Sequence, residues 1–193
     1  MNILSRGLTI AFTTLAGLAG CASIPGGTGE EQVQTIDELV ERTLSDLYKQ
    51  EPATREEIAK SVGYAIMDNK VTKIPLVGAG EGYGVAIDNR SGTKTYIKMA
   101  RFDLGGGWGA RSLRPVAIFQ DAAKFKAFVD GAWSATAGAE AAAKVGEAGV
   151  AGGAGSSDTA SDKGYSLHII TDAGVSATVT VGVIHVAPVK LKE

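Results

Sequence analysis

The sequence predicts an α+β domain: a curled, mainly antiparallel, glycine-rich sheet of about six to eight strands, with amphipathic helices at its N-terminal end and one helix mid-chain, all on one side or at one end. Three observations carry this expectation. Apolar residues recur at three- and four-residue spacing between 31 and 49, and again between 121 and 131, which is the helical period. From Val62 to Gln120, and again from Tyr165, the period is two, broken by Gly, Asn and Asp. In GAGEGYGVAI, glycine occupies every second position from Gly78 to Gly84, which strips one face of a strand of its side chains.

The chain has 193 residues, 19 Lys and Arg against 21 Asp and Glu, and one cysteine. It opens on a segment that reads as an export signal. Arg6 is the only charged side chain before an apolar run from Gly7 to Leu18, too short to span a bilayer comfortably as a helix. Leu18-Ala19-Gly20-Cys21 resembles the bacterial lipobox. That resemblance implies cleavage after Gly20, diacylglycerol on the Cys21 sulfur, and acylation of the new amino terminus. The one cysteine falls where the motif requires it, and an unpaired exported thiol would otherwise be a liability. Ala22 stands where an aspartate would favour the inner membrane, so the expectation is an outer-membrane anchor facing the periplasm. Residues 1–20 are thus read as signal, 21–30 as acylated cysteine and flexible tether (SIPGGTG), and 31–193 as one domain. Losing Arg6 takes the formal charge from −2 to −3, which argues against nucleic acid as a partner.

Within the domain, Val33, Ile36, Leu39, Val40, Thr43, Leu44 and Leu47 share one side of a helix of about five turns, ended by Pro52. Thr54 and Glu57 have capping-box spacing for a short second helix through Ser61. VGYAIMD, KIPLVGAGEGYGVAID, TKTYIKMARFDLGGGWGARS and RPVAIFQ follow as strands, with turn signals at Asp68-Asn69 and from Asn89 to Gly92. DAAKFKAFVDG returns to helix, with Phe125 and Phe128 on one side. Gly, Ala and Ser fill 20 of the 28 positions from 134 to 161, so this tract reads as loop with a helical turn at AEAAAK. YSLHIIT and VSATVTVGVIHVAPVKL close the domain as a hairpin around Asp172-Ala173-Gly174.

The glycines exclude nucleotide chemistry. A dinucleotide fingerprint needs G-x-G-x-x-G between strand and helix. Counting from Gly78, Gly80 or Gly82, the sixth position is Tyr83, Val85 or Ile87. Gly105, Gly107 and Gly109 repeat the alternation. A glycine face costs roughly 0.5–1 kcal/mol per residue relative to alanine, and it suits a strand that coils sharply or lets another backbone approach.

GYAIM, GAGEGYGVAI, FDLGGGWGARS and VAIFQDAAKFKAFVDGAWSATAGAEAAAKVGEAG, in this order, resemble the SYLF domain, a lipid-binding module of eukaryotic membrane-trafficking proteins and many bacterial lipoproteins. The resemblance covers roughly residues 35 to 190 and implies binding of anionic lipid, phosphoinositides in eukaryotes, sometimes with actin contacts. In the eukaryotic proteins a basic amphipathic N-terminal segment engages membrane. Here the helix carries Glu31, Asp37, Glu38, Glu41 and Asp46 against Arg42 and Lys49. An anionic surface would repel it, so its apolar face is expected to pack on the domain.

Catalytic and metal chemistry find little support. His168 and His185 sit in strand patterns without Cys, Asp or Glu at ligand spacing. No hydrolase signature occurs, so a non-catalytic protein without cofactor is expected. Charge is segregated instead. Residues 89 to 114 hold Arg90, Lys94, Lys98, Arg101, Arg111 and Arg114 against Asp103 alone, and Lys94, Tyr96 and Lys98 alternate onto one face. Lys94, Lys98, Arg101, Arg111 and Arg114 are therefore the candidate ligands for lipid head groups, each contributing about 1 kcal/mol near an anionic leaflet. Solvated charges paired to neighbouring carboxylates are the bland alternative. Trp108 and Trp133 read as core. The alternative function is a structural or protein-interaction module of the cell envelope, with an envelope protein as partner.

Overall fold

The computed structural model describes residues 23–132, 134–137, 140–145, 148–152 and 164–193, the side chains at 73, 103–108, 111, 134–152 and 173–183 lying outside the description. Among the described residues the architecture is α+β, a seven-stranded sheet in which each strand pair is antiparallel, with three helices.

The sheet is nested. β1 (Gly63–Ile74) and β2 (Leu76–Asp88) form a hairpin turning at Pro75. β3 (Lys94–Phe119) pairs with β2 from Lys94 to Gly105 and with β1 from Gly109 to Phe119, so both its ends lie at the base of that hairpin and its middle rounds the turn. The residues that round it are Gly105 to Gly109, and Gly109 has φ +150°, a backbone that glycine adopts without steric cost. β7 (Tyr165–Pro188) follows β3 throughout, from Phe119↔Tyr165 to Ile97↔Pro188. Outside it lie β4 (Ser134–Ala137) and β5 (Glu140–Val145), and β6 (Ala148–Gly152) pairs with β5.

Four expectations are corrected here. No turn occurs at Asp68-Asn69, because both residues lie within the β1 ladder. The two strands expected on either side of Leu113 are one. Pro115 has no N–H to give β1, and the β1–β3 ladder skips Met67 and Asp68 there, yet β7 pairs with β3 straight through. No hairpin forms around Ala173; a register shift opposite Ser112/Leu113 leaves Asp172 unpaired, a bulge. Finally, described parts of the 134–161 tract are strand, not loop or helix. Small side chains contribute little core, but the edge of β7 supplies backbone partners that override alanine's helix preference.

Helices cover both faces of the base of the sheet. α1 (Gly29–Gln50) starts at a capping box, Thr28 Oγ1 accepting from Glu31 N while the Glu31 side chain returns to the Thr28 N–H. Its Ile36, Leu39 and Leu47 pack with Ile58 of α2 (Thr54–Lys60) against Ile66, Val85, Val116 and Ile118. α2 lacks the expected capping box. Thr54 Oγ1 donates to Glu51 O instead, and Glu57 accepts from Gln120 and from Ser166 on the sheet.

On the opposite face, α3 (Ala122–Val129) is capped by Asp121, whose side chain accepts from Lys124 N. Phe125 and Phe128 set their rings 5.5 and 5.0 Å from that of Phe119, and each buried ring contributes about 1.5–3 kcal/mol. Of the two expected arrangements, on one side or at one end, the helices take the second, at the base on both faces, and the strands' parity is the reason. Ala65, Met67, Ala86, Ile97, Met99, Ala117 and Phe119 form one apolar layer, and their strand neighbours form the other. The first layer also holds the glycines. A Cβ on Gly82 or Gly84 would overlap the carbonyl oxygen of Asp68 or Ile66, on the backbone of β1. The glycine face is the concave side of a tightly coiled strand pair.

The expected flexible tether is held to the domain at Ile24, although Pro25, Gly27 and Thr28 beyond it are exposed. Ile24 is 3% exposed, its carbonyl accepts from Gln32 Nε2 at 2.8 Å, and Lys192 N donates to Gln32 Oε1 at 2.8 Å.

Candidate functional site

Of the five cations expected to share one patch, the four whose side chains are described are dispersed. Lys94 lies under α1, its ammonium 2.5 Å from Asp37 Oδ1, and Tyr96 packs partly buried beside it. Lys98 is exposed on the same face, with no ion pair among the described residues. Arg101 is three positions on, so it projects from the concave glycine face opposite Gly80, where it is 5% exposed. The Arg111 side chain, Cys21 and Trp133 lie outside the described residues, as does the Trp108 side chain.

Arg114 is structural. Only 2% exposed, its guanidinium donates to Asp172 through Nε (2.9 and 2.7 Å) and Nη2 (2.5 Å), to Asp46 through Nη2 (2.7 Å), and to Thr43 through Nη1 (3.2 Å). The bulge that leaves Asp172 unpaired supplies one carboxylate and α1 the other, so this network clamps the helix to the sheet. His168 does similar work, its Nδ1 lying 2.8 Å from Glu51 Oε2 and its Nε2 3.4 Å from Glu57 Oε2.

The carboxylates under α1 titrate in opposite directions. The Arg114 hydrogen bond holds Asp46 below its usual range. Its stabilisation is therefore present above about pH 4 and lost as pH falls through the lowered value. Burial pushes Asp68 up, although Arg42 lies 3.7 Å away. A carboxyl with a raised folded-state pKa destabilises the fold above that value, and the penalty is relieved as pH falls through it. Asp68→Asn is thus expected to raise the melting temperature at pH 7 by about 2–4 °C, with the gain shrinking toward pH 4. A loss at pH 7 would show that the Arg42 and Tyr83 contacts outweigh burial.

Between α1 and β2 runs an open groove of about 530 Å³ lined by Thr35, Glu38, Leu39, Glu41, Arg42, Ser45 and Tyr83. Two carboxylates face one guanidinium that is already paired to Asp68, so the groove does not suit a phosphate.

Past α1, no described element covers the same sheet face. Paired residues share a face, which gives successive rows: Asp68, Tyr83 and Lys98; Lys70, Glu81 and Ala100; Thr72, Ala79 and Phe102; then Ile74 and Val77. Lys70 and Lys98 are exposed, without an ion pair among the described residues, and Glu81 stands exposed between them. Beyond them Ile74 is 65%, Leu76 69%, Val77 38% and Phe102 55% exposed. Sequence reasoning missed Lys70, Leu76 and Phe102. Even spacing from Lys98 places Phe102 on its face, but Lys70 joins them only through the β1–β2–β3 register.

No family model matches the chain. It is similar to Beta cell expansion factor A of Aeromonas veronii, 31% identical over 109 residues, an alignment that covers 56% of this chain and 41% of that protein. The matched region is thus about two fifths of that relative's length. Among the described residues, no helix is long and apolar enough to cross a membrane, and no three His, Cys, Asp or Glu are grouped to hold a metal ion.

Proposed function

We propose that this is a SYLF-like, non-catalytic domain of the bacterial envelope, anchored by acylated Cys21 in the outer membrane, whose sheet face past α1 binds lipid head groups. The supporting observation is that Lys98 and Lys70 stand exposed on the α1-bearing face, on the part that lies past the helix. Lys98 remains from the cations the sequence singled out, and Lys70 replaces Lys94, Arg101 and Arg114, which the fold employs elsewhere. An ammonium on a flexible stem can meet a phosphate without rearrangement of the strand.

Lys70→Gln together with Lys98→Gln is expected to remove about 1 kcal/mol per cation, a loss of roughly thirtyfold in partition onto phosphatidylglycerol vesicles in flotation. Melting temperature should stay near wild type, because exposed strand charges contribute little to folding. Lys94→Gln, by contrast, should leave flotation unchanged. An equal loss from Lys94→Gln would return the site to the strand beneath α1. Absence of binding at any salt would favour a structural or protein-interaction module.

A further inference from the structure

We propose that the end of the sheet carrying Ile74, Leu76, Val77 and Phe102 enters the acyl layer of the bilayer, with Leu76 leading. The inference rests on the lipid-binding reading above and names the part of the lipid that this end meets.

Four features of the structure converge on it. First, these side chains form one patch. Ile74 pairs with Val77, and Phe102 pairs with Ala79, two residues along the same face, while Leu76 occupies the turn between the strands. They are the large apolar residues that stand exposed among those described.

Second, Leu76 is held at a backbone disadvantage. It follows Pro75 in a two-residue turn closed by Ile74 and Val77, and its φ is +82°. This is the third position of a type II turn, where glycine or asparagine is favoured because a Cβ clashes. Burial does not offset that clash, since Leu76 is 69% exposed. Within the fold a glycine would serve better, so the leucine answers to a contact outside the chain.

Third, the backbone here suits hydrocarbon. A bilayer interior accepts only chain whose N–H and C=O groups are bonded internally. Around the turn Leu76 pairs with Gly105 and Val77 with Leu104, those in turn with Thr180 and Val181, and Gly106 to Trp108, which round the turn beyond β1 and β2, keep their pairing with β7. The nesting places the uncharged stretches 74–80, 104–110 and 173–184 at this same end, with charge entering at its border, where Lys73 and Asp103 pair with Gly78 and Glu140 pairs with Thr178.

Fourth, the charges stand at the right depth. Lys70 and Lys98 each lie four residues behind an apolar residue of the patch, Ile74 and Phe102 respectively, which is about 13 Å along a strand. Their stems can run along the apolar face while the ammonium groups stay among the phosphates. Glu81, in the row with Lys70, limits the excess of positive charge, so apolar insertion rather than charge alone must hold this end. A bilayer with an anionic surface is the partner that matches an apolar end backed by lysines.

The test uses the processed chain, residues 21–193, with Cys21→Ser so that no acyl group is attached. Leu76→Cys carries a polarity-sensitive dye; a second protein carries the same dye at Ser91→Cys, in the turn at the base of the sheet. With phosphatidylglycerol–phosphatidylcholine vesicles, the dye at 76 is expected to shift to the blue and to be quenched by acyl-brominated lipid. The dye at 91 should do neither. In the unlabelled chain, Leu76→Gly is expected to raise the melting temperature while lowering vesicle partition roughly tenfold or more. A merely structural leucine could not move those two readouts in opposite directions. If the protein floats with vesicles but the dye at 76 stays silent, insertion is overturned and head-group binding stands. If the protein does not float, both readings fail. A blue shift that grows with protein concentration in the absence of lipid would overturn insertion in favour of a second copy on this patch.

Discussion

Gly84→Val is expected to lower the melting temperature by 10 °C or more, roughly, and combining it with Gly82→Val is expected to leave no cooperative transition. Valine favours strands, so local preference alone predicts a gain. Packing reverses the sign. At Gly84 the new Cβ would overlap the Ile66 carbonyl oxygen and lie 2.8 Å from the Met67 Cα. Both are backbone atoms of a strand held by β2 on one side and β3 on the other. A flexible side chain could swing away, but a paired strand can yield only by breaking its ladder. Overpacking a core costs about 1–3 kcal/mol when side chains can adjust, and more when they cannot. That is a large share of the 5–15 kcal/mol, roughly, that holds a domain together. Thermal unfolding followed by circular dichroism measures it. Melting within about 2 °C of wild type would mean that the strand pair is far less coiled than its contacts show. Gly107, which belongs to the second alternating series, lies outside the described side chains, so the test belongs to Gly82 and Gly84.

The helices were legible because their signals are local. The three- and four-residue spacing from Val33 to Leu47 and the Asp121 cap each describe a few neighbouring residues, and the structure contains both elements. The capping box at Thr28 and Glu31 was equally local and could have been read three residues earlier. The turn from Asn89 to Gly92 is held by Asp88, whose carboxylate accepts from the N–H groups of Arg90 and Ser91. What stayed illegible depends on pairing. Glycines and Pro115 normally end strands, yet β3 continues through both because a neighbour of matching length runs beside it. The site failed on parity as well as on pairing. Lys98 and Arg101 differ by three positions, which in a strand places them on opposite faces, and that much was already written in the sequence. That Lys94 would find Asp37, 57 residues away, was not.

Cys21→Ser is expected to move nearly all of the protein from the membrane fraction to the soluble fraction, or to leave it as an uncleaved precursor. The argument compares two modes of attachment. Each methylene of an acyl chain contributes about 0.8 kcal/mol on burial, one chain gives only marginal binding, and two or more anchor stably. A few apolar side chains at the end of the sheet contribute at most roughly 1.5–3 kcal/mol each, and the freedom lost on binding offsets much of that. Insertion of Leu76 and its neighbours would therefore be reversible, whereas the acyl anchor would not. The fold adds a geometric constraint. Only Ala22 and Ser23 separate Cys21 from Ile24, which is 3% exposed and held by Gln32, so an anchor on Cys21 keeps the packed domain within about 10 Å of the cysteine. The tether leaves from the base of the sheet, where Ile24 shares a core cluster with Val189 and Leu191. It thus holds the domain at the membrane surface and makes contact of the far sheet end an intramolecular event, for which weak insertion suffices. Fractionation and metabolic labelling with a fatty acid measure the two halves of the claim. An unlabelled wild-type protein would remove the acyl anchor altogether. A Cys21→Ser protein that is processed yet stays in the membrane pellet through a high-salt wash would show that the sheet end, not the lipid, carries the attachment.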